Sequence, residues 1–423
     1  MSPGQKATVR AHRSRGQAAL RKLVGATAIT SFGDGLLLVA LPLLAIRLTS
    51  NALLIGGLVT ALGIPWLVVG LPAGALADRV NRRRLVVIVD VLRALIVGMV
   101  ALTVVMHEAR IGELYAAAFL LGAGETMTSA AARSIVPRAV SGDAIVVAQG
   151  RMQAARTGAV QFAGPSAGGA LFAAVRALPF AGDALSFLAS AGLLRSALAD
   201  VEVTPSFAGR DLRPPLMQEL HAGLRWFSRS RLMITLAGTV GAFAFCQAMV
   251  LGVLVVYGSR VLHLGAFGYG IFLALAAVGD LVGSLLAARV HANLRPYLTI
   301  LLAGVVAAGG YVLLGSTSHR AVAVVALALE AAATSIGNVA VTSARYREIP
   351  RERFGAMNNL FRSLVYGLGA TGALVGGALA AAHGTQGTFV VAGVLQLATL
   401  ALLAAPLRRL RAGEPQAAQP QAA

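Results

Sequence analysis

Long apolar runs separated by short polar and basic segments dominate the sequence. The run from Leu85 to Met106 carries only Asp90 and Arg93 as charged residues across 22 positions. About 20 apolar residues cross the roughly 30 Å hydrocarbon layer of a bilayer, and a helix satisfies its own backbone hydrogen bonds there. The pattern therefore predicts an all-α membrane protein.

Twelve such runs are predicted to be transmembrane helices, arranged as two six-helix bundles. The predicted spans are 23–48, 52–76, 85–106, 114–132, 144–175, 179–198, 232–257, 267–290, 296–315, 321–343, 354–382 and 387–406. The predicted domains are a basic N-terminal segment (1–22), an N-terminal bundle (23–198), a linker (199–231), a C-terminal bundle (232–406) and a tail (407–423). The linker and the tail are expected on the cytoplasmic side, and the tail is expected to be disordered.

The composition agrees with membrane insertion. Hydrophobic residues make up 57% of the chain and charged residues 13%, whereas a soluble domain is about 25% charged. The 48 glycines suit close helix packing in a bilayer. The single cysteine, Cys246, excludes an intramolecular disulfide.

The net charge of +19 would also suit nucleic-acid binding, but the distribution of the basic residues excludes it. When the predicted loops are assigned alternately to two faces, 30 of the 36 Lys and Arg residues fall on one face and 5 on the other, with Arg93 inside a span. Basic residues concentrate on the cytoplasmic side of membrane proteins. The pattern predicts cytoplasmic termini in a bacterial-type inner membrane. The first apolar run is too long for a signal peptide.

The two halves of the sequence resemble each other. Arg133, Pro137 and Arg138 are echoed by Arg345, Pro350 and Arg351, with the first arginines 212 positions apart. A tandem repeat of six-helix bundles, with substrate bound between them near the bilayer midplane, is a common plan of transporters.

The segment between the second and third spans carries a family motif. It reads Gly-Ala-Leu-Ala-Asp-Arg-Val-Asn-Arg-Arg-Arg from Gly74 to Arg84 and resembles the loop signature of the major facilitator superfamily. The matching positions are Gly74, Leu76, Asp78, Arg79, Arg82 and Arg83. Asn81 stands where the family usually has glycine, which resembles the branch of macrolide and enterobactin exporters. The resemblance implies a gating latch at Asp78; the alternative is a basic topology signal.

A second motif lies in the fifth span. Gly164, Pro165, Gly168 and Gly169 resemble the antiporter motif of the same superfamily, although Val160 occupies its leading position. Proline removes a helix hydrogen bond and kinks the helix, and the glycines permit tight packing. The alternative is an ordinary packing face of small residues. Asp183, in a segment that resembles the same exporter branch, is expected near the outer end of its span, in contact with solvent.

Ionisable residues at membrane depth are costly and are candidates for function. Asp34 and Glu125 lie near the middle of the first and fourth spans, which the resemblance implies line a central cavity. Asp280 and Glu330 are the corresponding candidates in the second half. Each of the four carboxyls is expected to couple protons or contact substrate, or else to bond a neighbouring helix.

Asp90 and Arg93 are three residues apart in the third span and share a helix face. We expect an intrahelical ion pair between them that supports the Asp78 latch. The full set of candidate gating residues is Gly74, Asp78, Arg79, Arg82, Arg83, Asp90 and Arg93.

The sequence contains neither a phosphate-binding G-x-x-x-x-G-K-[ST] loop nor a His/Cys cluster with metal-ligand spacing, so no cofactor, no metal and no enzymatic activity are expected. The predicted function is secondary export of small amphipathic molecules of the drug, macrolide or siderophore type by proton antiport. The expected partners are the substrate, protons and the lipid bilayer, and the expected state is a monomer. The alternatives are an importer, a lysophospholipid-type flippase, or a membrane sensor or scaffold that does not transport.

Overall fold

The part of the chain that the structure describes is helical almost throughout. The computed structural model describes residues 3–70, 80–139, 144–197, 225, 228, 230–348 and 354–408, and it contains no strand within those ranges. The prediction of an all-α membrane protein is therefore confirmed for the part of the chain that is described.

The described residues form helices in the following order along the chain. They are α1 (Pro3–Leu48), α2 (Ala52–Val68), α3 (Arg82–Val105), α4 (Ile111–Ala139), α5 (Ala144–Thr157), α6 (Gly164–Ala174), α7 (Leu178–Ala197), α8 (Arg231–Arg260), α9 (Ala266–Asn293), α10 (Pro296–Ser316), α11 (Arg320–Glu348) and α12 (Phe354–Arg408).

Seven helices in the described ranges are long and apolar enough to cross a membrane. Their apolar ranges are Leu20–Leu48, Arg82–Val105, Met233–Arg260, Ala266–Asn293, Pro296–Ser316, Arg320–Arg345 and Leu360–Ala405, and the shorter α2 is also apolar. The fold is that of a multi-pass membrane protein, and the count of twelve spans remains a prediction.

The 55-residue helix α12 cannot be one straight span. A helix of that length would extend about 80 Å, more than twice the thickness of the hydrocarbon layer. Gly384 interrupts it with φ 76° and ψ 167°, a conformation that glycine adopts at no steric cost. The break falls in the gap predicted between the spans 354–382 and 387–406.

The start of the first helix differs from the prediction. Helix α1 begins at Pro3 rather than at residue 23, because the preceding segment is rich in Ala, Arg, Lys and Gln, which favour helix even in water. Helix α2 ends at Val68, with the Val69 N–H bonded to the Pro65 carbonyl, and positions 71–76 of the predicted span lie outside the described residues.

The predicted span 144–175 is divided by a π-helical turn. The turn covers Gly158–Ala163 and lies between α5 and α6. The Gly164 N–H donates to the carbonyl of Ala159, five residues earlier. Pro165, at the start of α6, lacks an N–H of its own, and π turns accompany such interruptions of the helical ladder.

The helices form an N-terminal group (α1–α7) and a C-terminal group (α8–α12). Within the N-terminal group α7 packs against α1 and α3, and within the C-terminal group α12 packs against α8. The groups meet along two seams, α2 against α12 and α6 against α9. These packings bring the charged side chains of α1, α3, α4, α5 and α7 close to one another.

Candidate functional site

A buried ion pair joins α1 to α3. The Nη2 atom of Arg93 donates to Oδ1 of Asp34 over 2.9 Å, with 7% of the Arg93 side chain and 26% of the Asp34 side chain exposed. The guanidinium also lies over the ring of Phe187, 4.1 Å from its centroid. Arg93 therefore ties together α1, α3 and α7.

The prediction of an ion pair between Asp90 and Arg93 is wrong. Arg93 bonds Asp34 instead, and the Oδ2 atom of buried Asp90 accepts a 2.9 Å hydrogen bond from the Ser190 hydroxyl on α7. The stem of Arg93 packs beside Gly124 of α4 and its head stacks on Phe187, while Asp90 interacts with Arg93 electrostatically. The neighbouring helices, rather than the spacing along α3, select the partners.

A second ion pair joins α4 to α5. Arg156 donates from Nη2 to Oε1 of Glu125, and the two side chains are 47% and 29% exposed. Asp34 interacts electrostatically with Glu125 and Arg156 as well as with Arg93. The structure thus brings Asp34 and Glu125 into one network. Sequence reasoning missed Arg156, although its position inside a predicted span was a signal.

Asp183 is buried rather than solvated, which corrects the expectation from the sequence. None of its surface is exposed, and its Oδ1 atom accepts a 3.1 Å hydrogen bond from the Ser186 hydroxyl. It interacts electrostatically with Asp34 and Arg93. The network in the N-terminal group therefore includes a carboxyl that the sequence had placed near water.

Glu330 occupies a different setting in the C-terminal group. Its Oε1 atom accepts hydrogen bonds from the Tyr311 hydroxyl at 2.9 Å, the Thr334 hydroxyl at 2.9 Å and the Gln247 amide at 3.3 Å. The carboxyl is 5% exposed. Its bonded partners are neutral groups, whereas Asp34 and Glu125 each bond an arginine.

Asp280 is half-buried on α9 and interacts electrostatically with Glu330. Its backbone carbonyl accepts a hydrogen bond from Ser284. The structure places the two acids of the second half near each other but does not join them by a hydrogen bond.

The glycines of the antiporter-like motif lie at close helix contacts. A Cβ atom built on Gly164 would be 2.5 Å from the Cα of Gly35 on α1, and one built on Gly168 would be 2.8 Å from the carbonyl oxygen of Leu36. On the other face of α6, a Cβ on Gly169 would be 2.6 Å from the carbonyl oxygen of Ala266 on α9. The motif thus packs α6 against α1 and forms one of the seams between the groups.

The other seam follows α2 and α12. Glycines approach each other at one end, where a Cβ on Gly56 would be 3.1 Å from the Cα of Gly377. Further along, the Thr60 hydroxyl donates to the carbonyl of Ala370 over 2.7 Å. At the far end, the Arg362 guanidinium lies 5.0 Å from the ring centroid of Trp66.

The gating residues predicted between α2 and α3 are described only in part. Gly74, Asp78 and Arg79 lie outside the described residues. Arg82 is buried and Arg83 half-buried in the first turn of α3. The Oδ1 atom of Asn81 caps this helix by accepting from the backbone N–H groups of Arg83 at 3.0 Å and Arg84 at 3.2 Å. The departure from the usual family glycine therefore has a local role as an N-cap.

A cavity of about 390 Å³ is lined by Leu20, Arg21 and Val24 of α1 and by Arg151 of α5. It is separate from the acidic network. Among the residues that the structure describes, no group of three or more His, Cys, Asp or Glu side chains could hold a metal ion.

The sequence profile of one family, described as transmembrane secretion effectors, matches residues 15–423. This match spans nearly the whole chain and confirms the resemblance to the major facilitator superfamily. The narrower resemblance to the macrolide and enterobactin exporter branch remains a proposal. No curated protein is a significant match.

Solved transporters share the fold across nearly the whole chain. The nucleoside transporter NupG superposes with a TM-score of 0.72 at 12% identity, covering 94% of this chain and 100% of its own. A bacterial homologue of the human lysosomal transporter Spinster, inward-facing and occupied, gives 0.72 at 14%, covering 92% and 96%. A bacterial homologue of the iron transporter ferroportin, inward-facing, gives 0.70 at 17%, covering 93% and 99%.

Proposed function

Because the chain belongs to the transmembrane secretion effector family of the major facilitator superfamily, we propose that it is a proton-coupled exporter of small amphipathic molecules. The observation that carries the proposal is the network of ion pairs Asp34–Arg93 and Glu125–Arg156. Substrates of the drug, macrolide or siderophore type are proposed on the resemblance to that exporter branch.

The network can couple protons because its charges balance only while the carboxyls are ionised. Protonation of Asp34 removes the negative partner of Arg93. Breaking a fully buried pair in this way costs about 3–5 kcal/mol, and the cost is lower here because the Asp34 side chain is 26% exposed. The arginine then favours an arrangement with another negative partner. One protonation event at Asp34 can therefore change how α1, α3 and α7 pack.

Substrate competes with the proton in this scheme. An amphipathic cation that reaches Asp34 or Glu125 replaces either a proton or an arginine as the positive partner of the carboxylate. Proton and substrate then bind the same carboxylate at different stages of the transport cycle, which yields exchange without direct contact between them. An imposed proton gradient supplies the driving force.

Alternating access is proposed to occur by rocking of the two helix groups. The seams α2–α12 and α6–α9 are the contacts that such a motion rearranges. We also propose that Asp78 acts as a gating latch with Arg79, Arg82 and Arg83. The Asn81 cap holds the start of α3, where two of these arginines lie.

The proposal is tested in inside-out membrane vesicles with an acidic interior, using ethidium as an amphipathic cation and erythromycin as a macrolide. Asp34→Asn and Glu125→Gln should each reduce gradient-driven uptake by about tenfold or more, a change of the size that coupling energies produce. Exchange at equal pH should be partly retained, because the amide still fills the site.

The matched control is Glu113→Gln, the same kind of substitution at the start of α4. Glu113 bonds the Thr103 hydroxyl over 2.7 Å, apart from the ion pairs, so its variant should transport like the unmodified protein. Protein levels must be measured, because Asp34→Asn removes the carboxylate that Arg93 bonds in the structure. Full driven uptake by both test variants would exclude these carboxyls as coupling groups. Absence of driven uptake of both probes by the unmodified protein would contradict export of these two classes.

A further inference from the structure

The carboxyl of Asp183 takes part in none of the ion pairs described above. Its Oδ1 atom accepts the bond from Ser186, whereas its Oδ2 atom is buried without a hydrogen-bond partner among the residues that the structure describes. A buried ionised oxygen without a partner is one of the costliest groups in a protein. A proton on Oδ2 would remove that charge.

The backbone of α1 makes room for this carboxyl. A Cβ atom on Gly33 would overlap with Oδ1 of Asp183 and Oγ of Ser186. Asp183 therefore lies against α1 one residue before Asp34. The Asp183 carboxyl thus lies beside the turn of α1 that carries Asp34, and the two carboxyls interact electrostatically.

Arg93 has unused capacity to bind a second carboxyl. Its Nη2 atom bonds Asp34, but its Nε atom is buried without a hydrogen-bond partner in the described part of the chain. A guanidinium offers five N–H donors, and Asp183 attracts Arg93 electrostatically. The Nε–H donor of Arg93 and the Oδ2 acceptor of Asp183, each without a hydrogen-bond partner among the described residues, thus occur in the same cluster of charged side chains.

The charged groups around Asp183 can be counted helix by helix. The helices packed on α7 are α1, which contributes Asp34, α3, which contributes Asp90 and Arg93, and α6, whose residues 164–174 include no ionisable side chain. Glu125 and Arg156 act on the same cluster from α4 and α5. Four carboxyls, those of Asp34, Glu125, Asp183 and Asp90, therefore act on one arginine. Glu125 already pairs with Arg156, and Asp90 already accepts a hydrogen bond from Ser190.

We propose that Asp183 is a second proton-binding residue that alternates with Asp34 as the partner of Arg93. In the structure Arg93 pairs with ionised Asp34, and Asp183 holds a proton. When Asp34 takes up a proton, Arg93 turns to Asp183, and the proton of Asp183 leaves to water. One O–H bond forms at Asp34 and one breaks at Asp183, so the three groups stay neutral in sum.

This step rests on the proposed function only for its place in a transport cycle. The test therefore uses infrared spectroscopy of the purified full-length protein in liposomes at neutral pH, which requires neither substrate nor gradient. Asp183→Asn should remove the C=O stretching band of one protonated carboxylic acid. Asp34→Asn should remove the same band although Asp183 is intact, because Arg93 then pairs with Asp183 and ionises it.

Glu330→Gln is the control, because Glu330 lies in the other helix group and should leave the Asp183 band in place. Persistence of the band in Asp34→Asn would overturn the proposal, as would an unchanged spectrum of Asp183→Asn. If Asp183→Asn fails to fold, the Asp34→Asn spectrum decides alone. If the unmodified protein shows no driven uptake while the band is lost in Asp34→Asn and Asp183→Asn as expected, the export mechanism is overturned and the exchange of Arg93 between the two carboxyls stands.

Discussion

Arg93 shows how a residue in a membrane helix acquires its partner. Residues three apart on a helix are close neighbours, which is why Asp90 was expected to bond it. The structure gives Asp90 a hydroxyl from Ser190 and gives Arg93 the carboxylate of Asp34. Both bonds cross between helices, so the charges hold α1, α3 and α7 together instead of stabilising α3 alone.

Glu330 allows a residue-scale test of a carboxyl held by neutral donors. Tyr311→Phe removes one of its three hydrogen bonds, and we expect the free energy of unfolding to fall by about 1–2 kcal/mol. The measurement is denaturation of the purified protein in detergent. Tyr297→Phe is the matched control, because no hydrogen bond of its hydroxyl occurs among the described residues. Equal stability of the two variants would show that the phenol–carboxyl bond contributes nothing.

At the scale of elements, the span formed by α5, the π turn and α6 is shaped by its glycines and its proline. Gly164 follows the π turn directly and touches the backbone of Gly35 on α1. Gly169, on the opposite face of α6, approaches α9. At these two glycines α6 therefore packs against α1 and α9 with no side chain between the backbones, which small residues allow in membranes.

Gly164→Ala tests this packing. The added methyl would lie 2.5 Å from the Cα of Gly35, and overpacking of this kind costs about 1–3 kcal/mol. We expect a lower melting temperature in detergent and reduced driven uptake. Gly150→Ala on α5 is the control, since nothing lies within 4 Å of its Cβ position. A Gly164→Ala protein as stable as the control would contradict the close α1–α6 contact.

Across the whole molecule, the two helix groups meet along the α2–α12 and α6–α9 seams. The α2–α12 seam combines glycine contacts, the Thr60–Ala370 hydrogen bond and the stacking of Arg362 on Trp66. The α6–α9 seam includes the contact at Gly169. Under the proposed alternating access, these contacts are the ones that must change while each group moves as a unit.

The predicted orientation is tested on the whole chain. With 30 basic residues assigned to one face and 5 to the other, both termini and the 199–231 linker should be cytoplasmic. Green fluorescent protein fused after Arg411 or inserted in the linker should fluoresce, and alkaline phosphatase at the same positions should be inactive. Phosphatase activity at either position would overturn the twelve-span topology.

The class of the protein could be predicted from the amino-acid sequence alone, because that information is local. The length of each apolar run and the placement of basic residues report membrane insertion one helix at a time, and the motif at Gly164 marked a close helix contact that the structure contains. The acids at membrane depth, Asp34, Glu125 and Glu330, could also be singled out, because a charge in an apolar run is visible without knowing its neighbours.

Only the tertiary structure decided which groups those acids meet. Hydrophobic periodicity gives the depth of a residue and its face on the helix, but not the helix that lies opposite. Arg156 was therefore counted with the loops, Asp183 was placed in solvent, and Arg93 was paired along its own helix. The packing of α7 against α1 and α3 buries Asp183 and gives Arg93 its partner on another helix. The packing of α4 beside α5 pairs Arg156 with Glu125. The partner of a buried charge is the nearest complementary group in space.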